Sequence, residues 1–132
     1  MKRTVTLAAA ALLALAAAGG AAAADKPTGP AKGNQCFWTR FADGFAAPDE
    51  HTLYVSVNVR DVYQFEMFTN CQGLDWDNRI ALVSRGGSMI CTGMDAEVVT
   101  HETGIGRQRC MVRSVRKLTK EEIAALPRGS KP

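Results

Sequence analysis

Between His51 and Val59 the chain reads HTLYVSVNV, with Leu53, Val55, Val57 and Val59 on one parity and Tyr54, Ser56 and Asn58 on the other. A pleated strand sends successive side chains to opposite faces, so this alternation predicts a strand buried on one side. NVRD then supplies Asn and Asp for a turn. VYQFEMF resumes the alternation, with Tyr63, Phe65 and Met67 set against Gln64 and Glu66. The two segments together predict a hairpin. RIALVS and SMICTGMDAEVV flank RGGS, where Gly86 and Gly87 suit the positive φ of a tight turn, and predict a second hairpin. RQRCMVRSVRKL predicts a further strand, with Cys110, Val112 and Leu118 on one parity and Arg107, Arg109, Arg113 and Lys117 on the other. CFWTRF is the expected first strand. In LTKEEIAALP, Thr119 and Glu122 have capping-box spacing and Pro127 ends a short helix.

This gives five or six strands and one terminal helix. Strands and helices do not alternate, which predicts an antiparallel rather than a parallel sheet. The expected fold is mostly β: a small antiparallel sheet or partly closed barrel with a short C-terminal helix, stapled by disulfides.

The N-terminal pattern is of another kind. Lys2 and Arg3 precede an apolar run from Val5 to Ala18, and Ala22 and Ala24 occupy the small-residue positions before Asp25. This is the pattern of a secretory signal peptide over residues 1–24, and the run is shorter than the roughly 20 residues of a membrane-spanning helix. Cleavage leaves residues 25–132, enough for one domain with a modest core. Residues 25–35 are rich in Pro, Gly and Lys and read as a disordered lead. The folded domain is expected over 36–126 and a flexible tail over 127–132. The expected location is periplasmic or secreted, with no transmembrane span in the mature chain.

Export changes the meaning of the four cysteines, because disulfides persist in oxidising compartments. Cys36, Cys71, Cys91 and Cys110 are even in number and widely spaced, with no C-x-x-C pair for zinc or redox chemistry. Neither His51 nor His101 is tied to a cysteine by any motif. Two bridges are therefore expected. Of the three connectivities, Cys71–Cys91 within a loop and Cys36–Cys110 tying the first strand to the last are favoured.

The blocks CFWTRF, DEHTLYVSVNVRDVYQFEM, NCQGLDWDNRIALVSRGGSMICTGMDAE and RQRCMVRSVRKLT, with their four cysteines, resemble a family of small exported proteobacterial proteins classed as a domain of unknown function. The resemblance spans about Cys36 to Leu126. It implies a Gram-negative envelope location and no particular activity. Several such proteins look like lipoproteins, and this chain lacks a cysteine at the cleavage site.

Charge is divided along the chain. Residues 33–104 hold four basic and ten acidic side chains, whereas residues 105–132 hold eight basic and two acidic. Such a dipolar chain is not a general nucleic-acid binder. The row Arg107, Arg109, Arg113 and Lys117 is the candidate surface for an anion or a partner, since guanidinium groups suit planar bidentate acceptors. Asp75 and Asp77 flank Trp76, the pattern from which a small periplasmic hydrolase could be built. Asp77 equally suits a turn, and Trp76 packing against the Cys71 bridge. Asp49 to His51, with His101 and Glu102, is the weakest candidate, a metal set without recognisable spacing. No catalytic residue, metal or cofactor is assigned. The sequence favours an exported envelope protein that acts as a binding or accessory module, its partner an envelope protein or an anionic envelope component, with the hydrolase as the alternative.

Overall fold

A computed structural model describes residues 35–132 apart from 103 and 105. The expected signal peptide and nearly all of the expected disordered lead lie outside the described residues.

Six strands form one curled antiparallel sheet in the order β2-β3-β4-β8-β7-β5. They are β2 (Ala42–Ala46), β3 (Thr52–Val57), β4 (Asp61–Met67), β5 (Ala81–Ser84), β7 (Ala96–Glu102) and β8 (Gly106–Lys117). Two short strands, β1 (Phe37–Trp38) and β6 (Met89–Ile90), pair with each other across the concave side. A helix, α1 (Lys120–Ala125), closes the chain. The alternation predicted for β3 and β4 decides which face is concave. Leu53, Val55, Val57, Tyr63, Phe65 and Met67 all turn inward and are buried. Cys110, Val112 and Val115 of β8 and Ala96 and Val98 of β7 complete that wall. Phe37 closes it from β1, its ring 4.5 Å from Tyr63 and 6.2 Å from Phe65. Each such ring buries more apolar surface than an aliphatic side chain does.

The helix begins as the sequence predicts. Thr119 accepts a hydrogen bond from the Glu122 N–H, and the Glu122 carboxylate accepts one from the Thr119 N–H, satisfying two otherwise free donors. The segment ends at Leu126 in extended backbone, just before Pro127.

Other expectations are corrected. Val59 does not join the buried face: Asn58 and Val59 carry φ of 53° and 68° in the β3–β4 turn, leaving Val59 87% exposed. The expected hairpin around RGGS pairs its arms only through the far end of the second, Ala96–Val99, and not through Met89–Ile90 next to the turn. Gly87 does take a positive φ, but β5 pairs with β7, and β6 pairs with β1. That register sets Phe37 opposite Ile90, and therefore Cys36 opposite Cys91. The disulfides are accordingly Cys36–Cys91 and Cys71–Cys110, replacing the expected Cys71–Cys91 and Cys36–Cys110. Cys110 points into the core from β8, where Cys71, on the loop after β4, reaches it. Contacts also hold residues at both ends of the described segment. The Gln35 side chain accepts the Lys117 N–H at 3.1 Å. At the other end, Ser130 is buried in a 3-10 turn (Arg128–Ser130) and Pro132 comes to rest near Gly44 on the convex face.

Candidate functional site

The convex face of β5, β7 and β8 carries the arginines singled out in the sequence, but not as one row. Along the first half of β8, Arg107 and Arg109 point outward opposite His101 and Val99. The ladder between β4 and β8 then slips, pairing Met67 with Val112 and Glu66 with Ser114. This bulge places Arg113 and Ser114 between two inward positions, Val112 and Val115, and so reverses parity. Beyond it Arg116 points outward, donating to Gln64 at 2.8 Å and to Glu122 at 2.7 Å. Lys117 falls instead on the parity of Val115, opposite Tyr63, and pairs with Asp61 at 2.7 Å. Arg113 lies at the bulge, its guanidinium 5.4 Å from the Phe68 ring. The expected row of four thus reduces to Arg107 and Arg109, with Arg113 displaced and Lys117 turned away.

What organises this face is Glu97. It occupies an outward position on β7 yet is only 5% exposed. Arg85, at the end of β5, donates to one of its carboxylate oxygens from two nitrogens, at 3.1 and 3.3 Å. Arg109 donates to the other oxygen at 2.9 Å. These bonds, the Arg85 contribution first, hold the Glu97 carboxyl below its ordinary pKa against the opposing effect of burial. The arginines remain open, with side chains 43% and 72% exposed. The carboxylate therefore fixes two guanidinium groups without covering them. Arg85 was not among the sequence candidates because it sits in what reads as a turn. The parity reversal did leave a trace, since VRSV spaces two valines three apart where alternation demands two.

The acidic candidates are spread apart and mostly occupied. Asp77 accepts the main-chain N–H groups of Arg79 and His101, which makes it a loop tether. Trp76 is 84% exposed and does not pack on the Cys71 bridge; Leu74, 1% exposed, is the residue of this loop that enters the core. Asp49 accepts the N–H groups of His51 and Thr52. Among the described residues no three His, Cys, Asp or Glu side chains gather into a metal-ion set. The carboxyls that are perturbed, Asp43, Asp95, Glu97 and Glu122, are all held low by hydrogen bonds, opposite to the raised pKa of a general acid.

Residues 1–131 match the model of a family described as a family of unknown function, DUF6491. The chain belongs to DUF6491. It has no match among curated proteins or solved structures. Membership in DUF6491 brings no activity or ligand with it, so the chemistry of this DUF6491 protein rests on its own side chains.

Proposed function

We propose that this DUF6491 protein is exported to the cell envelope and acts by binding rather than catalysis. Its convex face would hold an anionic partner, an envelope protein or an anionic envelope component, through the clamped Arg85 and Arg109, with Arg107 beside them on β8 and Arg113 at the bulge. The observation that carries this reading is the Glu97 clamp. Guanidinium groups already held in place lose less freedom on binding than free side chains do, so more of the contact energy appears as affinity. Lys117, committed to Asp61, stands outside this face. Export is supported by the leader over residues 1–24 and by two disulfides, which are bonds of oxidising compartments. Among the described residues no helix is long and apolar enough to cross a membrane.

The test uses purified envelope material and the mature protein. Wild type should co-sediment with it, and binding should weaken as salt rises, because exposed charges are screened over about 10 Å at 0.1 M. The double variant Arg107→Glu and Arg113→Glu leaves the Glu97 clamp intact and should weaken that binding, the clamped Arg85 and Arg109 retaining the rest, while melting at the wild-type temperature. Equal binding by the folded double variant would refute the face. Recovery of the protein from the cytoplasm with residues 1–24 attached would refute export.

A further inference from the structure

The curled sheet does not close. β2 and β5 are its terminal strands, and among the described residues no strand pairs with the outer edge of either. Between them lies a cavity of about 290 Å³, lined on one side by Ala42, Asp43, Gly44 and Phe45. The register explains what that lining means. Ala42 and Phe45 stand opposite the inward residues Val57 and Val55, whereas Gly44 stands opposite Ser56, to which Asp43 is also bonded. Consecutive residues from both faces of β2 thus border one cavity. A cavity against a face meets only alternate residues, so this one runs along the strand's edge, where main-chain N–H and C=O groups point. Its other walls are the apolar Val55, Ile80 and Leu82, with Thr39, whose hydroxyl donates to the Ser88 carbonyl.

The geometry points to a strand-acceptor slot: we propose that an extended segment of a partner protein, alternating apolar and basic residues, adds to the free edge of β2. Its backbone would bond to the β2 edge, and its apolar side chains would enter the cavity against Phe45, Val55 and Leu82, the pattern of strand addition. The basic residues answer Asp43. That carboxylate is exposed on the bulge of β2, held in place by the Ser56 hydroxyl at 2.5 Å and the Val59 N–H at 2.8 Å. It is the charged group of the cavity lining, and it lies in the acidic part of the chain. A charge on an edge strand discourages indiscriminate pairing, and a negative one selects a positive partner. The slot lies apart from the arginine face and does not depend on it.

The test uses the mature protein with labelled eight-residue peptides of alternating lysine and valine, glutamate and valine, or lysine and serine. The lysine–valine peptide should bind saturably, slow amide exchange over Ala42–Ala46, and do so better than the other two. Asp43→Asn, whose amide oxygen can accept from the Val59 N–H while its NH2 donates to the Ser56 hydroxyl, should weaken that binding roughly two- to fivefold, the range of an exposed ion pair. Amide protection reads the site directly, even if the variant folds poorly. Absence of saturable binding, binding without protection of Ala42–Ala46, or equal binding of the glutamate peptide would each overturn the proposal. So would protection, before peptide is added, of the amides in this stretch that point away from β3, since those bonded to β3 are protected in the fold itself. Concentration-dependent protection would then identify a second copy as the occupant, and concentration-independent protection the chain itself.

Discussion

At the scale of single residues, Glu97 is where burial and charge meet. Its pKa is held below the ordinary value near 4.5, first by the hydrogen bond from Arg85 and then by Arg109. A carboxyl with a depressed folded-state pKa contributes stability that is fully present above its ordinary pKa. That contribution is lost as pH falls through the folded value. Acidification below about 4.5 should therefore destabilise the protein, with Asp43, Asp95 and Glu122 acting in the same direction. Glu97→Gln should be less stable than wild type at pH 7, and the gap should narrow at pH 3. Urea midpoints at the two pH values check this. A gap that stayed constant or widened on acidification would show that the clamp contributes nothing through its charge. Trp76 illustrates the opposite case. Its aromatic ring suggested packing, but Leu74, two residues earlier, is the side chain that reaches the core.

At the scale of elements, the bulge in β8 is matched by a close approach from outside the sheet. The 3-10 turn Gly93–Asp95 leads into β7, and Gly93 is buried against the main chain of Arg113 and Ser114. A Cβ at Gly93 would run into the Arg113 carbonyl and the Ser114 nitrogen, and neither is a flexible side-chain tip that could move aside. Gly93→Ala should therefore cost about 1–3 kcal/mol, the range for overpacking a buried site. At Gly86 an added Cβ meets nothing within 4 Å, so Gly86→Ala should leave stability nearly unchanged. Chemical denaturation of the two variants side by side makes the comparison, and equal midpoints would refute the close-approach argument.

At the scale of the whole molecule, the two disulfides interleave. Cys71 lies inside the loop closed by Cys36–Cys91, and its partner Cys110 lies outside it, with sequence separations of 55 and 39. In the chain-entropy model each bridge restricts the unfolded chain by about 4 kcal/mol, comparable to the net stability of a small domain. Access to the two differs. Cys36 and Cys91 are half-buried, whereas Cys71 and Cys110 are buried. Thiol exchange needs access to sulfur, so mild reductant should open Cys36–Cys91 first. Partial reduction, alkylation and peptide mapping should find Cys36 and Cys91 labelled while Cys71–Cys110 stays intact. Early labelling of Cys71 and Cys110 would refute that order. Mapping a Cys71–Cys91 peptide from the unreduced protein would refute the interleaved pairing itself.

Period and local chemistry were legible in the sequence because they act over a few residues. The inward faces of β3 and β4 follow from Leu53, Val55, Val57, Tyr63, Phe65 and Met67, since a strand with one buried face must alternate. Thr119, Glu122 and Pro127 bound the helix by hydrogen bonds and ring geometry that need no distant partner. The even count of cysteines with no metal spacing set the staple reading, but cysteine arithmetic cannot rank the three connectivities. Only tertiary structure did so, because the pairing of Cys36 depends on β1 lying beside β6, more than fifty residues away. The same non-locality drew Met89–Ile90 out of the hairpin around RGGS, since β6 finds its partner in β1 while β5 pairs with Ala96–Val99 further along the same arm. It also broke the arginine row, because the bulge is a property of how β8 meets β4. The candidate face took its final form, Arg85 and Arg109 on a buried Glu97, only when β5, β7 and β8 came side by side. Side chains that meet across a sheet are chosen by strand order and register, and residue spacing along the chain fixes neither.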